Sequence, residues 1–167
     1  MMKRLIMAAL FVAGLSVAGS AALAQTTICV LFDDGVTSDL SARQAKSQSQ
    51  LGEWMKADLV RVFARYAKSG YEAKLIENRK DFKPQPNTYL LTVKITEYRA
   101  GSKAARIVVG YGAGGLTLKT HYELSDGGAK AILSKDDSVF SGREWINAAR
   151  KLNENTAKAV TTELGNK

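Results

Sequence analysis

Three glycines, Gly110, Gly112 and Gly115, fall at the spacing G-x-G-x-x-G within ARIVVGYGAGGLTLKTHYELSDGG, residues 105–128. A β-branched run precedes them, and Asp136 and Asp137 follow about twenty residues on, so the stretch has the outline of a dinucleotide-binding fingerprint. That chemistry requires a helix directly after the third glycine, because free N–H groups at a helix N-terminus hold the phosphate. Residues 116–124 do not supply one. Leu116, Leu118, Thr120, Tyr122 and Leu124 alternate with Thr117, Lys119, His121 and Glu123, which lines the apolar residues along one side of a strand and scatters them around a helix. A P-loop fails as well, since Leu116-Thr117 stand where Lys and Ser/Thr are required. The glycines are therefore expected to serve backbone geometry: a positive φ, a bulge, or close passage over the core. No nucleotide or other cofactor is expected.

The remaining reactive side chains are few. His121 is the single histidine and lies on the polar side of its strand beside Lys119 and Glu123. A zinc centre needs several His, Cys or carboxylate ligands at suitable spacing, and none is present in the sequence. Two acidic pairs, Asp33-Asp34 and Asp136-Asp137, each stand near a predicted strand end. Paired carboxylates can cleave glycosidic bonds, which makes a small envelope hydrolase using Asp136/Asp137, with His121, the alternative function. Adjacent acids at a strand end more commonly form turns. The motifs H-E-x-x-H, G-x-S-x-G and S-x-x-K are all absent. The chain is accordingly read as non-catalytic, with no catalytic, cofactor-binding or metal-binding residue assigned.

The elements that must position these residues follow from periodicity. Residues 27–33 form a buried strand containing Cys29, the only cysteine, read as an inert buried thiol. Residues 34–48 are polar and read as a loop, partly helical towards its end. Leu51, Met55, Leu59, Val62, Phe63 and Tyr66 then make one apolar helical stripe, with Ser47 and Gln50 as a capping box and Gly70 as the stop signal. Trp54 borders that stripe as core-edge packing. Strands are expected at 71–76, 88–98, 116–124 and 129–135, the last two joined by a turn at Ser125-Asp126-Gly127-Gly128. Ser141 and Glu144 form a second capping box before a helix with Trp145, Ala149, Leu152, Thr156 and Val160 on its stripe, ended by Gly165. The expected fold is α+β: a mixed or mainly antiparallel sheet of four to five strands, with two amphipathic helices packed on one face.

The N-terminus reads as a secretory signal, residues 1–24. Lys3 and Arg4 form a basic start, residues 5–17 are apolar, and Ala22-Leu23-Ala24 gives a small-x-small cleavage site. Residues 25–167 then make a single α+β domain. Thr26-Thr27-Ile28 before Cys29 is not a lipid-attachment box, and no later apolar stretch is long enough to span a bilayer, so no transmembrane span is expected in the mature chain. The formal charge is +8, of which Lys3 and Arg4 supply two. The rest favours an anionic surface. No basic run is interleaved with aromatics, so no nucleic-acid site is expected.

The segment YRAGSKAARIVVGYGAGGLTLKTHYELSDGG resembles the characteristic stretch of the bacterial envelope family known as domain of unknown function 4410. Arg106, Gly110, Gly112, Ala113 and Gly114 are the matching positions and form a candidate structural or interaction segment. The resemblance implies a secreted or periplasmic protein and supplies no activity. Its expected partner is another envelope protein or an anionic cell-envelope surface.

Overall fold

The computed structural model describes residues 25–100, 115–128, 130–141 and 144–166. Five strands and two long helices follow in the order β1 (Thr26–Asp33), α1 (Ala42–Ala64), β2 (Tyr71–Ile76), β3 (Thr88–Arg99), β4 (Leu116–Ser125), β5 (Leu133–Ser141) and α2 (Trp145–Gly165). The strands form one mixed sheet in the order β2-β1-β3-β4-β5. β1 runs parallel to both β2 and β3, whereas β3, β4 and β5 form an antiparallel meander. This is the expected α+β class.

Both helices bury their apolar stripes against the same side of the sheet. Towards one end, Leu59, Val62 and Phe63 of α1 and Ala157 and Val160 of α2 pack on Ile28, Val30, Leu91, Val93, Tyr122 and Leu124. Towards the other, Leu51 and Met55 meet Ala148, Ala149 and Leu152 over Ile95, Leu116 and Leu118. The period-2 alternation of β4 is observed residue by residue, with Leu116, Leu118, Thr120, Tyr122 and Leu124 all buried. In β3 the alternation breaks at a bulge between Ile95 and Glu97. An extra residue in one strand swaps the faces beyond it. Glu97, not Thr96, therefore pairs with Lys119 on the polar side, and Tyr98 turns towards the helices opposite Leu118.

The two helices are joined by a buried polar contact. The side-chain amide of Asn153 donates to the Met55 carbonyl and to Asp58 Oδ2, each at 3.0 Å. At the helix surface, Trp54 and Trp145 meet edge to face with centroids 5.6 Å apart, and the Arg150 guanidinium lies 5.7 Å from the Trp54 ring centroid. Trp54 is thus core-edge packing, as its position on the stripe implies.

Several boundaries differ from the sequence reading. α1 is capped by Ser41 and Gln44, which exchange the reciprocal bonds of a capping box, rather than by Ser47 and Gln50. Both pairs share the S-x-x-Q spacing. The earlier one prevails because Gln48 already occupies the core-facing side of a formed helix and donates to the Asp34 carbonyl at 2.8 Å. α1 ends at Ala64, and Gly70, at φ 83°, caps the short 3-10 turn Ala67–Ser69 that follows. β5 runs over Leu133–Ser141 instead of 129–135, so Asp136 and Asp137 sit in mid-strand. Ser141 belongs to β5, and Glu144 takes the N-cap position of α2 without a side-chain capping bond.

The return from β2 to β3 must cross β1, because β2 and β3 lie on either side of it and both run in its direction. The right-handed rule for such crossovers sends residues 77–87 over the face opposite α1. Cys29 and Leu90 point to that face and are each only 2% exposed. Burial pushes the Cys29 thiol above its ordinary pKa, against the nearby Lys74 charge, so it remains an unionised thiol.

The β1–α1 connection depends on Gly35. Its φ is 67°, and a Cβ there would stand 2.0 Å from the Ile95 carbonyl oxygen. Gly35→Ala combines left-handed strain of about 1–3 kcal/mol with a backbone collision. Denaturant titration is expected to show a loss at or above the top of that range. A loss below about 0.5 kcal/mol, the usual size of a neutral surface change, would overturn this account.

Candidate functional site

The face of the sheet turned away from the helices carries the charged side chains. The register aligns four of them, one from each of four strands: Asp33 of β1 opposite Lys94 of β3, Lys94 opposite His121 of β4, and His121 opposite Asp136 of β5. Asp33 Oδ2 and Lys94 Nζ are 2.9 Å apart. His121 Nδ1 lies 2.9 Å from Asp136 Oδ1, and its Nε2 lies 3.3 Å from Glu123 Oε1. One row further on, Glu97 receives Lys119 at 2.7 Å and the Arg99 Nε at 2.8 Å. Cross-strand neighbours of opposite sign are attractive, and each such pair in water contributes only about 0–1 kcal/mol. The ladder therefore sets the pattern of charge presented to solvent more than it sets stability.

The electrostatics follow from these contacts. Hydrogen bonds from the His121 ring to Asp136 and then to Glu123 raise the His121 pKa and outweigh a small desolvation penalty. A carboxylate beside each ring nitrogen favours the protonated imidazolium, in which both nitrogens donate. Partial burial works against the Asp33 carboxylate, but the Gly35 N–H and Lys94 together hold its pKa below the usual range. The bond from Lys119, helped by Arg99, does the same for Glu97.

The acidic pairs are now placed. Asp33 and Asp34 form the turn after β1: Asp33 Oδ1 accepts from the Gly35 N–H at 2.8 Å, and Asp34 Oδ1 accepts from the Val36 N–H at 3.1 Å. Asp136 and Asp137 point to opposite faces, as adjacent strand residues must. Asp136 meets His121 on the helix-free face, while Asp137 accepts from Asn155 of α2 at 2.8 Å on the other. The sheet stands between them, and they cannot flank one scissile bond. His121 stands between the carboxylates of Asp136 and Glu123, which favour its protonated form over the free base. Among the described residues no group of three or more His, Cys, Asp or Glu side chains is arranged to hold a metal ion.

Arg106, Gly110, Gly112, Ala113 and Gly114 lie outside the described residues. Gly115 is described: a strand follows it, and a Cβ there would meet the Phe140 ring at 2.1 Å. The aromatic ring thus lies across the glycine at the start of β4, and that contact explains the last glycine of the motif. Phe140 itself is 62% exposed. The His121–Asp136 pairing was not visible in the sequence, because it depends on the β4–β5 register. The only advance signal was that His121 lies on a polar position of its predicted strand and Asp136 directly follows the next predicted strand.

The environment of His121 yields a measurement. The chain has one histidine, so one imidazole resonance set reports it. Its titration midpoint is expected above the unperturbed value of about 6.5 and should fall in Asp136→Asn. The raised pKa contributes stability that is fully present below the unfolded value of about 6.5 and is lost as pH rises through the folded value. His121→Gln should therefore cost stability at acidic pH and nothing at alkaline pH. A midpoint at or below the unperturbed value would remove the carboxylate clamp from the description.

The fold and the face can be set against known proteins. A PelC dodecamer from Paraburkholderia phytofirmans, carrying one leucine-to-methionine substitution, superimposes with a TM-score of 0.53 at 14% identity, covering 85% of this chain and 91% of that one. A second PelC dodecamer structure from the same organism gives 0.48 at 10% identity over 79% and 84% of the two chains. A neuraminyllactose-binding hemagglutinin homolog from Helicobacter pylori gives 0.34 at 9% identity, over 84% and 83%. The first likeness is one of fold, and the other two are too loose to carry an argument. No curated protein matches the sequence. The model of the family described as Domain of unknown function (DUF4410) matches residues 23–164, and the chain belongs to that family.

Proposed function

We propose that this chain is a non-catalytic protein of the bacterial periplasm or cell surface that binds another envelope component through the helix-free face of its sheet. The observation that carries the reading is the one-sided packing of the helices. It leaves a broad face of β1, β3, β4 and β5 lined with Asp33, Lys94, Glu97, Arg99, Lys119, His121, Glu123 and Asp136, in which carboxylates stand beside cations. Patterned charge of this kind selects partners and steers encounter more than it supplies raw affinity. The formal charge of +6 that remains without Lys3 and Arg4 biases the choice towards anionic material. The secretion-type residues 1–24 support the location, and no helix of the described residues is long and apolar enough to cross a membrane. PelC, a protein of the same fold, forms a dodecamer, so this fold has surfaces suited to association.

Two measurements test the reading. Mass spectrometry of exported protein is expected to find Gln25 at the mature N-terminus, with no lipid on Cys29. Retention of residues 1–24, or a lipidated cysteine, would overturn the proposed maturation. Binding is tested by capture from envelope extracts. The double change Lys94→Glu with Lys119→Glu should reduce capture of envelope material at least about tenfold, or ~1.4 kcal/mol. Lys158→Glu, on an exposed position of α2, should not. Retention should also fall as salt shortens the Debye length to about 3 Å at 1 M. Equal capture by both variants would move binding off this face.

A further inference from the structure

Among the described residues the sheet ends in β2 on one side and β5 on the other, and no strand pairs with the outer edge of either. An open edge offers unpaired N–H and C=O groups to another strand, so the side chains along it decide whether it is used. Those of β5 oppose a second copy. Asp136 and Asp137 stand near its middle, and an antiparallel copy centred on either would set carboxylate against carboxylate. β2 is different. Its six residues, YEAKLI, hold no proline and no two charges of the same sign.

Alternation sorts these residues between the faces. Tyr71 and Ala73 lie on the helix side: the Tyr71 hydroxyl donates to the Thr161 carbonyl at 3.3 Å, and Ala73 packs against the cluster of Ile28 and Val30. Leu75 shares that side and is 42% exposed. Glu72 and Lys74 are exposed on the opposite side. Glu72 accepts one bond, from Gln25 Nε2 at 2.9 Å, and keeps capacity for more. Lys74 forms no ion pair among the described residues. One strand thus combines a free edge, an uncovered leucine and an unpaired cation.

The strand is its own complement. When it is laid antiparallel to a second copy with Ala73 opposite Ala73, Glu72 of each copy falls opposite Lys74 of the other, and Tyr71 opposite Leu75. Directly opposed side chains share a face, with Cβ atoms about 4.5–5.5 Å apart. Both ion pairs then form on the helix-free side, and both Tyr71–Leu75 contacts on the helix side. Centring the pairing on Glu72 or on Lys74 would oppose like charges, so the charges specify one register. We infer that β2 is an isologous interface, through which two copies of this chain pair edge to edge and join their five-stranded sheets into one. The helix-free faces of the two copies then lie side by side, and the pairing stands independently of what those faces bind. Six residues on each side make a small interface, so the dissociation constant falls on the order of 10–100 µM.

The test is sedimentation equilibrium of the exported protein from about 1 µM to about 1 mM, where a monomer–dimer equilibrium is expected. Lys74→Glu and Glu72→Lys each set like charges at both opposed positions and should weaken dimerisation about tenfold or more. Mixed together, the two variants should associate with each other as tightly as the unaltered chain does with itself, because every opposed pair is again of opposite sign. Both residues are exposed, so melting temperatures should stay unchanged. Amide shifts of the unaltered protein should move on dilution at residues 71–76 and not at 133–141, which locates the interface without any variant. A chain that stays monomeric at about 1 mM would overturn the inference. Dimerisation indifferent to either variant, or dilution shifts centred elsewhere, would take association off this edge and overturn it equally. Failure of the mixed variants to associate would overturn the register. Changes at residues 71–76 that appear only on adding envelope extract would give the edge to a different partner and overturn the second copy as its occupant.

Discussion

Every apolar residue on the helix side of the sheet must be covered from that side, and among the described residues α1 and α2 do it. The one-sided cover dictates most of what else is seen. α1 presents Leu51, Met55, Leu59, Val62 and Phe63 at helical spacing, and α2 presents Ala148, Ala149, Leu152, Ala157 and Val160. The small residues of α2 let it sit close beside α1, where Asn153 reaches the Met55 carbonyl and Asp58. A buried amide left without those acceptors would cost about 1–3 kcal/mol, so the contact specifies one register of the two helices.

The same constraint shapes the opposite face. Among the described residues no long helix lies above that face, and strand alternation assigns polar residues there. Their signs are not random. Asp33, Lys94, His121 and Asp136 come from four separate strands yet fall in one row, and neighbouring pairs at its two ends are of opposite charge. Only the Lys94–His121 step places two cations side by side, and it is flanked by a carboxylate on each end. Towards β2 this face is less open, since Cys29 and Leu90 are each only 2% exposed on it.

Legibility in the sequence followed the strength of the local pattern. β4 was readable to the residue because its alternation is strict and both faces are consistent. That alternation was enough to show that a strand and not a helix follows Gly115. α1 was readable as a helix but not at its start, since two serine–glutamine boxes six residues apart compete and the winner is decided by Gln48 meeting the Asp34 carbonyl. β5 was misplaced because Leu133–Ser141 has no apolar stripe: it is an edge strand with Lys135, Asp136 and Asp137 in its middle, the kind of charge that protects an edge from foreign strands. The clamp on His121 was illegible because it joins residues from separate strands whose register exists only in the folded sheet.

The strand order divides the domain into two parts with different routes to assembly. β3, β4 and β5 are consecutive and antiparallel, so their contacts span shorter separations in sequence. β1, by contrast, finds its central partner across the stretch from Thr27 to Thr88, with α1 and β2 in between. Loop-closure entropy rises with that separation, and non-local parallel pairing is slow. β1 needs β3 for its central pairing, and β2, which meets β1 alone, then completes the parallel half of the sheet. All three strands are complete by Arg99, before β4, β5 and α2 begin. The topology therefore lets the parallel half of the sheet close from the first part of the chain, without waiting for the antiparallel strands that follow β3.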